Sequence, residues 1–521
     1  MFKPSNTADL LSVAAAKWPD GVALVDRNET LYYGELLDRA RQHAHRLGNV
    51  GIERGARIAV VVDKSVEVVS FVFGCLLAGV VVVPINPRLK QLQVEHMLTD
   101  SDAILLAIME GRQSFHEVMS LPGLGIVLLR PGDAPDIRLA PKPCSAHEWN
   151  IEPATGFQDL AMLFYTSGST GMPKAVMCRH LNLLSGAASV ASYLENTKED
   201  RILAILALSF DAGFSQLTTG FLSGAMVILR DYILPSDISR ACEEYGVTGI
   251  TGVPAIWKAA LAVRWSDVAR HKLRYFANTG GHLPEMYLNR LQEIFPNASP
   301  YLMYGLTEAF RSTYLKPAHV TSRPDSIGKA IPGARVVVVD AHGEECRPGE
   351  IGELVHAGPT VAAGYWKSPE ATAHRFRMPP PCLQREGIAG PVVYSGDMVR
   401  RDEDGFLYFV SRGDRQIKIL GNRVSLTEIE NTALLCDGVI ASVASALPGE
   451  DGADPTIVLF YIARPGSNVE VYLKDWCRSE LPSFMVPGEF VRRTEFLLTP
   501  NGKYDLDAML LDRNRHEPIG A

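Results

Sequence analysis

The segment best suited to bind an anion spans residues 165–176 and reads YTSGSTGMPKAV. Its glycines let backbone N–H groups approach an anion, its hydroxyls add rotatable donors, and Lys174 supplies a positive charge. Apolar runs precede and follow it, so we expect the loop to join two strands. It differs from the Walker pattern, because two residues separate Gly171 from the lysine. Such a composition alone is more often an ordinary flexible loop.

A second polar motif, YGLTE, occupies residues 304–308. Tyr304 can stack on a purine and Thr307 can bond a phosphate oxygen. Glu308 can hold Mg²⁺, a hard cation that prefers oxygen ligands. Further along, residues 394–397 read YSGD, and Asp397 offers an acceptor-only side chain suited to paired hydroxyl groups. The sequence therefore combines an aromatic ring, a hydroxyl and carboxylates with a loop suited to a polyphosphate.

These motifs resemble those of the adenylate-forming (AMP-binding) superfamily, which comprises acyl-CoA synthetases, luciferases and peptide-synthetase adenylation domains. The matches follow the family order from residue 165 to residue 505. The resemblance implies that ATP and Mg²⁺ are used, with Lys503, Thr307 and Glu308 as catalytic residues and Glu308 as the metal ligand. It assigns nucleotide binding to Thr166, Ser167, Gly168, Ser169, Thr170, Gly171, Lys174, Gly281, His282, Tyr304, Asp397 and Arg412.

The same resemblance implies a substrate pocket and a hinge. The expected pocket residues are Phe210, Asp211, Phe214, Gly280, Met303, Gly305 and Phe310. Asp211 follows an apolar run, 202–208, that we predict to be a strand, and it could equally be a helix N-cap. Amino-acid-activating members pair an aspartate at this place with the substrate ammonium. On the hinge and thiol-acceptor side we expect Asp414, Lys418, Gly421 and Arg423.

We expect an ATP-dependent carboxylic acid–CoA ligase that works through an acyl-adenylate and releases AMP and pyrophosphate. The alternative is a stand-alone amino-acid adenylation enzyme that loads a separate carrier protein. Coenzyme A or a phosphopantetheinyl carrier would accept the acyl group. The runs 210–217 and 304–310 look like acyl-CoA ligases found beside bacterial exosortase genes. Too few residues follow position 507 for a carrier domain, so we expect any carrier to be a separate protein.

Composition narrows the class of protein further. The chain has 521 residues, a net charge of −8 and no basic run, which argues against a nucleic-acid backbone reader. Its eight cysteines are scattered without a C-x-x-C pair, as expected of reduced thiols in a cytoplasmic protein. The N-terminus lacks the pattern of a signal peptide, and we expect no membrane span. A scaffold without activity would be expected to lose Lys503, Glu308 or Asp397, and all three are present.

Alternating strand and helix patterns predict an α/β fold that positions these motifs. We expect a large N-terminal AMP-binding domain over residues 1–411, with parallel α/β sheets and an antiparallel β-subdomain from about residue 326. A small, mobile α+β domain over residues 412–521 would carry Lys503. Ligand sites in such folds cluster at the carboxyl ends of parallel strands.

Overall fold

The computed structural model describes residues 6–112, 115, 118–121, 123–130, 136–138, 156–166, 173–232, 234–412, 416–449, 453–464, 466–497 and 504–513. The chain divides into two units. The first consists of Met1–Pro87, Val94–Thr166 and Lys174–Gly413, and the second of Arg88–Gln93, Ser167–Pro173 and Asp414–Ala521.

The helices of the described residues are, in chain order, α1 Asp9–Lys17, α2 Tyr33–Asn49, α3 Val66–Leu77, α4 Gln91–Ser101, α5 His180–Tyr193, α6 Asp211–Ser223, α7 Pro235–Tyr245, α8 Pro254–Leu261, α9 Asp267–Lys272, α10 Glu285–Ile294, α11 Pro317–Val320, α12 Pro369–Arg375, α13 Pro381–Arg385, α14 Leu426–Leu434, α15 Val469–Glu480 and α16 Leu506–Leu511. Two short 3₁₀ turns are Val118–Ser120 and Thr307–Ala309.

The strands are β1 Val22–Val25, β2 Thr30–Tyr32, β3 Arg57–Val61, β4 Val81–Ile85, β5 Ala103–Met109, β6 Gly125–Leu129, β7 Asp136–Arg138, β8 Leu160–Thr166, β9 Lys174–Arg179, β10 Arg201–Ala204, β11 Met226–Leu229, β12 Gly249–Gly252, β13 Tyr275–Asn278, β14 Ser299–Tyr304, β15 Thr313–Leu315, β16 Ser326–Ala330, β17 Arg335–Val339, β18 Ile351–Ala357, β19 Phe376–Arg377, β20 Val392–Arg401, β21 Leu407–Arg412, β22 Gln416–Ile419, β23 Asn422–Ser425, β24 Val439–Leu447, β25 Thr456–Ala463 and β26 Glu489–Arg492.

Two large sheets form the first unit. A seven-stranded sheet has the order β7-β6-β5-β3-β4-β8-β9, and a fourteen-stranded sheet has the order β17-β18-β20-β21-β16-β15-β14-β13-β12-β10-β11-β1-β2, with β19 paired to β20. The second unit contains the hairpin β22-β23 and the three-stranded sheet β24-β25-β26. The predicted α/β class, with a β-subdomain and a small α+β unit, is confirmed.

The seven-stranded sheet ends in the hairpin that flanks the predicted anion loop. Strands β8 and β9 pair antiparallel, with Thr166 opposite Lys174. The apolar residues of β8 are buried because this strand lies between β4 and β9. The sheet therefore holds both ends of the loop at a fixed separation.

Within the larger sheet, strands β10 to β14 are parallel and place their carboxyl ends along one edge. The chain passes from β10 to its neighbour β11 and then crosses back to β12 on the other side of β10. Strand order thus reverses between β10 and β12, which is where open α/β sheets form ligand crevices. Helices α5 and α6 pack against each other next to these strands.

The strand predicted over residues 202–208 is shorter than expected. Strand β10 ends at Ala204, and the chain then turns onto the first turn of α6. Gln216 fixes this turn, because its amide accepts a hydrogen bond from the backbone N–H of Leu206 at 3.3 Å and donates one to Leu203 O at 3.0 Å. A Cβ on Gly213 would lie 1.9 Å from the carbonyl oxygen of Ala207, so the turn requires glycine there.

Large apolar clusters fill the first unit, and one of them packs α1, α2, α3 and α6 against the sheets. In the second unit, α14 and α15 cover β24 and β25. Among the residues that the structure describes, no helix combines the length and apolarity needed to cross a membrane.

We predict that Gly213→Ala destabilises the protein by about 1–3 kcal/mol, because the added Cβ would collide with a backbone oxygen that cannot rotate away. Urea unfolding of the variant measures this change. The matched control is Gly390→Ala, where the added Cβ meets no atom within 4 Å. Equal midpoints for the two variants would contradict the prediction.

A second prediction concerns Glu428 on α14, which is 4% exposed. Burial raises the pKa of its carboxyl to about 8, so the folded chain holds a proton there that the unfolded chain releases near pH 4. Stability from this group is therefore present at low pH and is lost as pH rises toward 8. Glu428→Gln should flatten the pH dependence of the urea midpoint between about pH 5 and pH 8, the range between the pKa of the unfolded chain and that of the folded chain. An unchanged slope would show that Glu428 does not titrate there.

Candidate functional site

The side chains of Tyr304 and Asp397 meet where two parts of the large sheet approach each other. The Tyr304 hydroxyl donates a hydrogen bond to Asp397 Oδ2, although the residues are 93 positions apart. Ser395 fixes the approach to Asp397, because its hydroxyl donates to Leu354 O at 2.6 Å and accepts from the Asp397 N–H at 3.1 Å. Two residues that sequence reasoning assigned to one nucleotide are thus brought together.

His356 stacks against the ring of Tyr304, with ring centroids 6.2 Å apart and planes at 21°. Burial lowers the pKa of His356 to about 4, although Asp397 and Glu308 act in the opposite direction. The imidazole is therefore neutral near pH 7 and adds no charge beside the two carboxylates. Sequence analysis gave no signal for this residue.

Glu308 is fully buried at the carboxyl end of β14, inside the 3₁₀ turn Thr307–Ala309. Its Oε1 accepts a hydrogen bond from the Tyr365 hydroxyl at 2.6 Å, and its carbonyl accepts one from Ala362 N at 2.9 Å. Tyr365 also forms a β-bridge with Val176 of β9. This chain of contacts connects the predicted metal ligand to the strand that follows the anion loop.

The turn after Glu308 is held in place by Phe310. This residue has φ 55°, which is unusual for a bulky side chain, and its ring is fully buried. The ring lies against Gly186 of α5, where a Cβ would come within 2.3 Å of two ring carbons. Phe214 is likewise buried, and it stacks on Phe73. Both phenylalanines lie in the core behind the site, and direct contact with substrate remains a prediction.

Lys174 begins β9 and is partly buried. Burial and the nearby Arg375 lower the pKa of its ammonium, so two positive groups lie close together at the start of β9. Such a pair is suited to a polyanion. The opposite strand end, Thr166, is buried. The predicted residues Ser167, Gly168, Ser169, Thr170 and Gly171 lie outside the described residues.

The glycine pair after β13 forms an exposed corner. Gly280 has φ 77°, and the carbonyl of Gly281 accepts a hydrogen bond from the Asn278 amide at 2.8 Å. The His282 ring is exposed and lies 3.7 Å from a carboxylate oxygen of Asp325. Gly305, after the neighbouring strand, faces the backbone of Arg311, where a Cβ would lie 3.3 Å from the arginine Cα.

Asp211 is the first residue of α6, and Phe210 is the N-cap residue. The Asp211 carboxylate accepts a hydrogen bond from the next backbone N–H at 2.8 Å. Residues four and eight positions later, Ser215 and Thr219, lie on the same face of the helix. Both of them line a cavity, so α6 presents Asp211 one turn from its wall.

This cavity is narrow, with enclosed space for about one water-sized group, and it opens to solvent between α5, α6 and strands β10, β12, β13 and β14. Met303, a predicted pocket residue, is in the wall, and its sulfur accepts a hydrogen bond from Tyr193 at 2.9 Å. The lining residues are Val190, Leu194, Ile202, Ala212, Ser215, Gln216, Thr219, Thr251, Tyr275, Met303 and Arg311. Sequence reasoning missed the polar members, since spacing alone does not show which helix faces point inward.

In the second unit, β22 and β23 form a tight hairpin whose turn contains Leu420 and Gly421, both with positive φ. Lys418 lies on β22 opposite Arg423 in the register. Asp414 and Lys503 fall outside the described residues. The backbone of Arg412 pairs with Asp397, but its side chain also lies outside the described part of the structure.

The residues present fit a Mg²⁺ ion that is held mainly by phosphates. Glu308 offers a buried carboxylate whose orientation Tyr365 fixes. Among the described residues, no cluster of three or more histidine, cysteine or acidic side chains could hold a metal alone. Mg²⁺ commonly binds through one or two carboxylates together with substrate phosphates, which matches this donor set.

Three known proteins resemble this chain in sequence or in fold. One component of the linear gramicidin synthase from Brevibacillus parabrevis is 32% identical over 97% of the chain, which spans 6% of that relative's length. The structure of o-succinylbenzoate CoA synthetase (MenE) from Bacillus subtilis superposes with a TM-score of 0.83 at 23% identity, covering 99% of both chains. The complex of VinN with L-aspartate gives a TM-score of 0.65 at 28% identity, covering 78% of this chain and 99% of that one.

The family model described as AMP-binding enzyme matches residues 11–366. That region contains the anion-loop strands, the corner after β13 and the YGLTE turn. The chain belongs to the AMP-binding enzyme family, the adenylate-forming superfamily that its motifs predicted.

Proposed function

We propose that this protein activates an amino acid as its adenylate and then transfers the aminoacyl group to a thiol, most simply that of a separate carrier protein. The observation that carries the proposal is the position of Asp211 on the first turn of α6, directly before Ala212, which lines the cavity. A carboxylate there is suited to bind a substrate ammonium. Relatedness to a gramicidin synthase, and to VinN solved with L-aspartate, supports this choice.

In the first half-reaction, a carboxylate oxygen of the acid attacks the α-phosphorus of ATP. The bond from that phosphorus to the bridging oxygen breaks, and pyrophosphate leaves with the bonding electrons. The protein's contribution is positioning and charge neutralisation. Tyr304 and Asp397 would hold the nucleoside, and Thr307 and Lys174 would contact phosphate oxygens. Mg²⁺, when bound at Glu308, supplies further neutralisation of phosphate charge.

In the second half-reaction, a thiolate attacks the acyl carbon and AMP leaves, so that a thioester forms. Gly421, in the turn of the β22-β23 hairpin, has no side chain, which would leave room for a pantetheine arm. A pantetheine arm occurs both in coenzyme A and on carrier proteins. A carboxylic acid–CoA ligase is therefore the second candidate, and the presence or absence of an amino group on the acid distinguishes the two.

The proposal is tested by acid-dependent ATP–pyrophosphate exchange without any thiol acceptor. We expect exchange with amino acids, and we expect Asp211→Asn to lower kcat/KM for them by roughly 100-fold, because an ammonium would lose its charged partner. The kcat/KM of exchange with acids that lack an amino group should be the same in Asp211→Asn and in the wild-type protein. The control is Asp267→Asn, which changes an exposed aspartate at the start of α9. Exchange restricted to acids that lack an amino group would favour the CoA ligase.

A separate prediction concerns Lys503, which the family resemblance assigns to the first half-reaction only. Lys503→Ala should abolish pyrophosphate exchange and leave thioester formation from a supplied acyl-adenylate intact. Quenched-flow measurement of the two half-reactions separates these effects, with the exposed Lys198→Ala as control. Equal loss of both half-reactions would contradict the assignment.

A further inference from the structure

Arg311 places a positive charge inside the wall of the cavity. The residue is 4% exposed, and it follows the Phe310 turn that leads from Glu308 to β15. Its guanidinium donates a hydrogen bond from Nη1 to the Thr279 hydroxyl at 3.1 Å. Its Nε is buried and has no acceptor among the described residues. A guanidinium carries five N–H donors, and the described structure gives the Arg311 side chain one hydrogen bond.

Two other arginines with buried or half-buried side chains each have a carboxylate partner. Arg493, which is 7% exposed, pairs with Asp512 at 3.1 Å, and the half-buried Arg274 pairs with Asp200 at 2.9 Å. For Arg311, the part of the chain that the structure describes places no carboxylate within ion-pair distance. A buried cation without a counter-ion is strongly unfavourable. An anion that occupies the cavity during function would remove this penalty.

Two hydroxyl groups in the wall of the same cavity are also without partners in the described structure. Ser215 Oγ and Thr219 Oγ1 are buried, and both residues line the same cavity as Arg311. A hydroxyl can donate a hydrogen bond to an anion that a guanidinium binds from the other side. Arg311 is also the only charged residue among those that line this cavity in the described structure.

We infer that the acid activated by this protein carries a second carboxylate, which Arg311 binds in the cavity while the first is adenylated near Thr307. The inference rests on the proposed function and specifies its substrate class as a short amino dicarboxylic acid. The cavity volume limits the substituent to a short one. The other anion that could meet Arg311 is a phosphate of ATP, and the experiment separates the two.

The test is ATP–pyrophosphate exchange with acids matched in shape. The pairs are aspartate with asparagine, glutamate with glutamine, and succinate with butyrate. The wild-type protein should prefer the dicarboxylic member of at least one pair by roughly 100-fold, because a site built around a charged group rejects the analogue that lacks it. Arg311→Met should abolish that preference, because it lowers kcat/KM for the dicarboxylic member far more than for the uncharged member, and it should not change KM for ATP.

Arg335→Met is the matched control, because this arginine pairs with Glu386 on the surface. Arg311→Lys keeps the charge and should retain part of the preference, which covers the case in which the methionine variant does not fold. A rise in melting temperature with the preferred acid, lost in Arg311→Met, gives a readout that does not depend on turnover.

Two results would overturn the inference. One is a wild-type protein that does not prefer the dicarboxylic member of any pair. The other is an equal loss for all acids in Arg311→Met with a raised KM for ATP, which would assign Arg311 to the nucleotide. If the protein exchanges with succinate but with no amino acid, Arg311 binds a second carboxylate as inferred, whereas the proposed activation of an amino acid is wrong. Failure of the inference and failure of the proposed function therefore give different results.

Discussion

The site depends on one turn, residues 305–311, which must present a carboxylate and a guanidinium in different directions within seven positions. The fully buried ring of Phe310 stabilises this turn despite a positive φ. Gly186 on α5 provides the space for the ring. Backbone strain at a residue of this size persists only where the surrounding packing determines it. The hydrophobic core therefore fixes the separation between Glu308 and Arg311.

Buried polar groups around this turn are arranged so that like charges are kept apart. Tyr365 donates to Glu308, Tyr304 donates to Asp397, and neutral His356 packs beside both carboxylates. Tyrosine hydroxyls and a neutral imidazole satisfy or surround the carboxylates without cancelling their charge. The first unit thus carries buried carboxylates at Glu308 and Asp397 together with positive charge at Lys174 and Arg311.

The sequence was sufficient for the fold class and for the family, because the motifs keep their order and the hydrophobic runs match strands such as β8 and β14. It also indicated that Tyr304 and Asp397 serve one ligand, and the structure brings them into contact. It could not predict the early end of β10, which depends on the amide of Gln216 reaching the backbone of a turn ten residues away. Nor could it find Arg311, because an arginine in a polar motif is usually exposed and only tertiary packing shows that this one is not.

Helix α6 carries three polar side chains at four-residue spacing, namely Asp211, Ser215 and Thr219. Each residue of an α-helix is rotated by about 100° from the one before it. Inserting or deleting a single residue between Asp211 and Ser215 would rotate Ser215 and Thr219 together, and both side chains would leave the cavity wall. Point substitutions can therefore replace the polar groups of this cavity wall one at a time. A change of length within α6 removes these groups from the wall together. Natural variation in the substrate of such proteins should accordingly leave the length of this helix constant.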